Sequence, residues 1–166
     1  MFLRPPSGAK RGLDLGRTVG GLTPARRTGR SMVASLERGL MLETARLVAF
    51  AGTADAPRAK AFYPDTLGLR LISDDDFALA FDANGTQLRI QKVKVVTPPP
   101  FTVLGWQVEN IHAMVSALSK AGISFERYSF MQQDAAGVWT APGETKVAWF
   151  KDPDGNLLSL AEHAAA

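Results

Sequence analysis

The chain has 166 residues, 46% of them hydrophobic and 21% charged, with a formal net charge of +3 and no cysteine. That length suits one domain with a real core and is too short for two ordinary ones, and no apolar run approaches the roughly 20 residues that cross a bilayer. The lack of thiols excludes disulfides, thiolate nucleophiles and Cys-based zinc or iron–sulfur sites, and it fits a reducing, cytoplasmic location.

The charge is unevenly spread. Residues 1–40 hold eight Lys/Arg against Asp14 and Glu37, whereas residues 41–166 hold eleven basic against fourteen acidic groups. The first zone contains Pro5-Pro6 and Gly20-Gly21. It shows no sustained period of 3.6 or 2 and has too little apolar surface to offset chain entropy, so it reads as a disordered basic extension. It has no secretory h-region. It reads as an Arg-rich leader or, preferably, as residues ahead of a true start at Met41. Its basic residues have no aromatic companions beyond Phe2, so neither nucleic acid nor a membrane is expected as a partner.

From Met41 the pattern sharpens. Arg46–Phe50 reads as a strand, and Asp55-Ala56-Pro57 has the chemistry of a helix start, a capping acid followed by proline in the first turn. Ala59, Phe62, Tyr63 and Leu67 follow at helical spacing, and Gly68 closes the segment. Strands are expected over Leu69–Ser73, Phe77–Phe81 and Thr86–Val93, the last two joined by the hairpin pair Asn84-Gly85. After the stiff connector Thr97–Pro100 the order repeats. Phe101–Val108 reads as a strand, Glu109-Asn110 opens a helix that Gly122 stops, and Ile123–Arg127, Val138–Thr140, Lys146–Phe150 and Leu157–Leu160 read as strands. Asp152–Gly155 is a tight turn between the last two. The spacing describes an α+β domain over 41–166, made of two tandem β-α-β-β-β modules, about 44–97 and 101–163.

Three segments carry a family likeness. They are Arg58–Leu69, then Val108–Ile111 with Leu118–Gly122, and then Trp149–Asn156. In that order they resemble the vicinal oxygen chelate superfamily of glyoxalases, bleomycin-resistance proteins and dioxygenases. The resemblance implies a curled mixed β-sheet around a shared cleft, and a homodimer. It also implies His or carboxylate metal ligands at four cleft positions, which align here with Val48, Arg89, Val103 and Ser159. Valine has no lone pair, and a guanidinium repels a divalent cation. No metal and no cofactor is therefore expected. A displaced site at Glu162 and His163 is the weaker reading, since a histidine near the chain end is more often simply solvated. His112, early on a helix, reads as exposed.

Alternation divides the sheet faces, with Leu88, Ile90, Leu158 and Leu160 toward the helices and polar residues toward the cleft. Arg89 and Gln91, with Arg46, Gln107 and Ser159, are the expected ligand-binding set, suited to a carboxylate or phosphate. The competing reading of Arg89 is an ion pair with a neighbour such as Asp82. Tyr128 and Trp139 are expected as apolar walls, as are Phe50 and Phe101, although core packing is the commoner fate of a residue like Phe50. The stretch between Tyr128 and Trp139 reads as a mobile loop, and Asp74–Asp76 as a solvated turn. No Ser-His-Asp, phosphate-loop or dinucleotide fingerprint is present. The function expected is metal-independent binding of a small molecule. The alternatives are a lyase, isomerase or dioxygenase-type enzyme with a non-standard site, and an interaction module whose cleft is vestigial.

Overall fold

A computed structural model describes residues 42–164 of the chain. The expected disordered extension over 1–40, and the question of a start at Met41, lie outside the described residues. Leu42–Thr44 forms a single 3-10 turn, and the unit starting at Ala45 carries the fold.

The first module opens with β1 (Val48–Thr53). It continues through α1 (Ala56–Asp65), β2 (Arg70–Asp74), β3 (Ala78–Ala83) and β4 (Thr86–Lys92). The second has β5 (Leu104–Gln107), α2 (Ile111–Lys120), β6 (Trp139–Thr140), β7 (Lys146–Lys151) and β8 (Leu157–Glu162). Each module forms a four-stranded mixed sheet, ordered β1-β4-β3-β2 in one and β5-β8-β7-β6 in the other. The outer strand is parallel to its neighbour in both, β1 to β4 and β5 to β8. This is the α+β, two-module architecture expected from the repeated spacing.

Local chemistry sets the helix ends. Asp55 accepts a hydrogen bond from Arg58 N at 3.1 Å, and Asn110 accepts one from Ala113 N at 2.9 Å; such caps are each worth about 1 kcal/mol. Gly68 and Gly122 follow α1 and α2 with φ of 72° and 93°, a region that costs glycine nothing. Asn84 and Gly85 both take positive φ, as the two-residue hairpin between β3 and β4 requires.

Alternation sorts the side chains as expected. Ala59 and Tyr63 from α1 pack with Leu79, Phe81, Leu88 and Ile90 in one cluster. In the other, Ile111, Val115 and Leu118 from α2 pack with Val138, Ala148, Phe150, Leu158 and Leu160. Phe62, Leu67 and Leu104 touch both clusters, so the two modules meet through their helix-covered sides. Val103, aligned above with a cleft position, precedes β5 and packs against the second cluster.

Several boundaries differ from expectation. β1 begins at Val48, because Leu47 is exposed and makes no core contact that would extend the strand. Ile123–Arg127 is not a strand; it contributes one bridge, Phe125 to Phe150. Glu126 N donates to Trp149 O at 2.7 Å, and beyond that pairing Gln133 Nε2 donates to Glu126 O at 3.0 Å and Gln133 Oε1 accepts from Tyr128 N at 2.8 Å. β5 covers only Leu104–Gln107, and Phe101 ahead of it is exposed.

Candidate functional site

The faces turned away from the helices carry the candidate site residues. On the first sheet, Phe50, Arg89 and Ala80 lie side by side in register across β1, β4 and β3. Gln87 and Gln91 share that face two residues either side of Arg89 along β4. Phe50 is 51% exposed and therefore not a core residue, contrary to the commoner reading of such a phenylalanine.

Arg89 does not pair with Asp82. The register sets Arg70 opposite Asp82, and its guanidinium takes that carboxylate at 2.8 Å. Arg89 instead reaches Asp75, with a long contact of 3.5 Å. Asp75 is engaged chiefly elsewhere, accepting from Phe77 N and Ala78 N at 2.8 Å each. Those two backbone bonds, more than Arg89, hold its carboxyl below the usual range. Asp74 is not merely solvated either: Lys92 and Lys60 both donate to it, at 2.6 and 2.9 Å. The contact of Arg89 is thus longer than the other ion pairs of this module, which lie at 2.6–2.9 Å.

The second sheet presents a different surface. Gly105, Ser159 and Trp149 lie in register across β5, β8 and β7, the same three places that Phe50, Arg89 and Ala80 occupy in the first module. A Cβ built on Gly105 would sit 2.8 Å from Ser159 Oγ, so this position has to be small. Trp149 anchors an aromatic group: Trp139 lies 6.1 Å from it, Tyr128 5.7 Å in an edge-on arrangement, and Phe130 5.4 Å from Tyr128. Trp149 Nε1 donates to Thr102 Oγ1 at 3.1 Å, which fixes the indole. Burial, followed by the nearby Glu126 carboxylate, pushes the Tyr128 phenol above its ordinary pKa.

The segment from Tyr128 to Trp139, read above as mobile, is internally tied. Arg127 donates to the carbonyls of Asp134 and Ala135, and Gln133 bonds to both Glu126 and Gly137. His112 Nε2 lies 2.7 Å from Asp134 Oδ2 and clips the segment to α2. Burial tends to raise the Asp134 carboxyl, but the bonds from His112, Val138 N and Ala136 N outweigh it and hold it low.

The expected residues therefore fall into separate groups. Arg89 and Gln91 share the first sheet, while Gln107, Ser159, Tyr128 and Trp139 belong to the second module. Arg46 stands exposed ahead of β1, apart from both. Trp149 and Phe130 were missed. Trp149 sits inside the Trp149–Asn156 motif, and its alternation with the buried Ala148 and Phe150 was the signal that could have placed it on the open face. Val48 and Val103 offer no donor atoms and Arg89 brings positive charge, so the aligned positions do not fit a divalent cation. Among the described residues no group of three or more His, Asp or Glu side chains could hold one. None of the described helices is long and apolar enough to cross a membrane.

Residues 46–160 match the family model described as the Glyoxalase/Bleomycin resistance protein/Dioxygenase superfamily. Among solved structures, a superfamily member from Sphaerobacter thermophilus aligns with a TM-score of 0.59 and 20% identity, covering 74% of this chain and 100% of its own. A lactoylglutathione lyase from Agrobacterium tumefaciens aligns at 0.56 and 16%, covering 72% and 93%. A genomically encoded fosfomycin resistance protein from Listeria monocytogenes aligns at 0.57 and 13%, covering 71% and 92%. No curated protein matches the sequence.

Proposed function

Since the chain belongs to the glyoxalase/bleomycin resistance protein/dioxygenase superfamily, a fold shared by proteins of different activity, we propose that it binds a small anionic molecule without a metal, using Arg89 as the anchor. The observation that carries this reading is the position of Arg89. It is a permanently charged fork on an open sheet face, whose ion pair among the described residues is a 3.5 Å contact to a carboxylate that has better partners. A carboxylate, phosphate or phosphonate takes two parallel N–H bonds from such a fork. Gln87 and Gln91 on the same strand add amide donors at its flanks, and the half-exposed Phe50 gives the apolar part of a ligand a surface to cover.

The Arg89 face and the Trp149 face belong to different sheets of one chain. A homodimer that lays the Trp149 face of one protomer over the Arg89 face of its partner encloses the ligand between a guanidinium and an aromatic wall. The absence of a fitting metal donor set supports recognition by hydrogen bonds and charge in place of metal chelation.

The test is a thermal-shift and calorimetric screen of aromatic carboxylates and phosphonates, starting with benzoate and phenylphosphonate, on the wild type and Arg89→Ala. Arg89→Ala is expected to weaken every anionic hit at least tenfold while leaving the fold intact. Equal affinity in the variant removes Arg89 from the site.

A further inference from the structure

We propose that the apolar pocket in the seam between the two modules is a second binding site, one that takes a small uncharged ring compound. Its cavity measures about 170 Å³. Leu67 and Leu69 close it from the turn between α1 and β2, and Trp106, Gln107, Met114, Leu118, Phe150 and Leu160 close it from the second module. The floor is dry: Phe150 is 0% exposed, Leu160 4% and Leu118 8%. Met114, 39% exposed, stands at the rim and gives an entry path past a flexible side chain.

Three properties single this pocket out. Its volume is that of one aromatic ring, since an apolar cavity of about 150 Å³ stays empty of water and accepts benzene. Its walls are apolar apart from Gln107 at the exposed edge, so an apolar guest gains dispersion contacts with side chains that hold water poorly. It also draws its walls from both modules, unlike either open sheet face. A charged or strongly polar guest is excluded for the same reason, because no buried partner would replace its hydration. The site is therefore separate from the Arg89 face in place and in ligand class.

The probe is toluene, titrated against protein labelled at the Leu, Val and Met methyl groups and followed by NMR. Saturable shifts are expected at Leu67, Leu69, Met114, Leu118 and Leu160, with a Kd of about 1 mM or tighter for a seven-atom ligand. Met114→Trp should fill the mouth and weaken toluene at least tenfold. Leu69→Trp, which fills the cavity from the other module, should do the same if the first variant folds poorly. Arg89→Ala should leave toluene affinity unchanged, so a failure of the anion reading and a failure of this one give different results. The proposal is overturned if no saturable shift occurs up to the solubility limit of toluene. Shifts on the open sheet faces instead of the seam, or tight binding in the folded pocket-filling variants, overturn it equally.

Discussion

The Tyr63 hydroxyl donates to Asp152 Oδ2 across 2.8 Å, joining residues 89 positions apart where both are buried. Asp152 also accepts from Asn156 Nδ2, Asn156 N and Asp154 N at 2.7, 2.9 and 3.0 Å. From the same turn, Asp154 takes hydrogen bonds from Thr53 Oγ1 and Ala54 N, and Asn156 Nδ2 donates to Gly52 O. The α1 segment and the Asp152–Asn156 turn, two of the segments that carry the family likeness, are thus two sides of one contact. It docks the β7–β8 turn onto the end of β1. Burial first, then the charge of Asp152 and the hydrogen bond to it, drives the Tyr63 phenol far above its usual range, so it stays a donor.

Removing that donor should loosen the junction. Tyr63→Phe keeps the ring and its packing on Phe81 but removes one of two donors to Asp152 Oδ2, the other being Asn156 Nδ2, a cost of about 0.5–1.5 kcal/mol. Asp152→Ala should cost more, because it also strands one N–H of Asn156 Nδ2 and two backbone N–H groups. Urea unfolding at neutral pH measures both. A Tyr63→Phe protein as stable as the wild type would show the bond to be idle.

Acid should weaken the second module through Glu162. Its carboxylate accepts from Lys146 and from Ile111 N at the start of α2, and these two bonds, the lysine first, hold its pKa below the ordinary value. A pKa depressed in the folded state means that the folded form binds its proton later than the unfolded chain. The contribution is therefore present above the unfolded carboxylate pKa of about 4.3 and is lost as the pH falls below it. Glu162→Gln should accordingly lower the urea midpoint at pH 7, and the gap from wild type should narrow as the pH falls through the depressed pKa of the folded carboxyl. A gap that persists in acid would mean that the charge of Glu162 is not what matters.

What the sequence revealed was what local chemistry decides. Asp55, Pro57, Asn110 and the pair Asn84-Gly85 each act within a few residues, so both helices and the hairpin were legible along with the faces they bury. The partners of Arg89 were not, because the choice between Asp82 and Asp75 depends on strand register: setting Arg70 opposite Asp82 removes that carboxylate from reach. The Ile123–Arg127 segment looked like a strand by composition. Its neighbouring loop carries Gln133, whose amide takes the Glu126 carbonyl and the Tyr128 N–H, and no periodicity reports that. Nor could alternation along one strand show that the two open faces belong to different sheets.

The donor chemistry at Val48, Arg89, Val103 and Ser159 leads to a prediction about metals. Protein purified without chelator should carry less than a stoichiometric amount of zinc, nickel, manganese or iron. Neither EDTA nor added metal should move its melting temperature, because a ligand that binds only the folded state would raise it. Elemental analysis beside a thermal melt is sufficient. One tightly held ion per chain would overturn the reading of Arg89 as the anchor.

Gly105 and Ser159 offer a test of the small position on the second sheet. The backbone φ of Gly105 is not in the left-handed region, so an alanine there meets no conformational strain; its only obstacle is Ser159 Oγ at 2.8 Å, the next atom being Ser159 O at 3.8 Å. Gly105→Ala must push that hydroxyl into another rotamer in a site where Ser159 is 8% exposed, at a cost of about 1 kcal/mol. Ser159→Ala removes the obstructing atom. The double variant Gly105→Ala/Ser159→Ala should therefore be more stable than the sum of the single effects allows, with a coupling of about 0.5–1 kcal/mol in urea unfolding. Strict additivity would mean that the two residues do not compete for the same space.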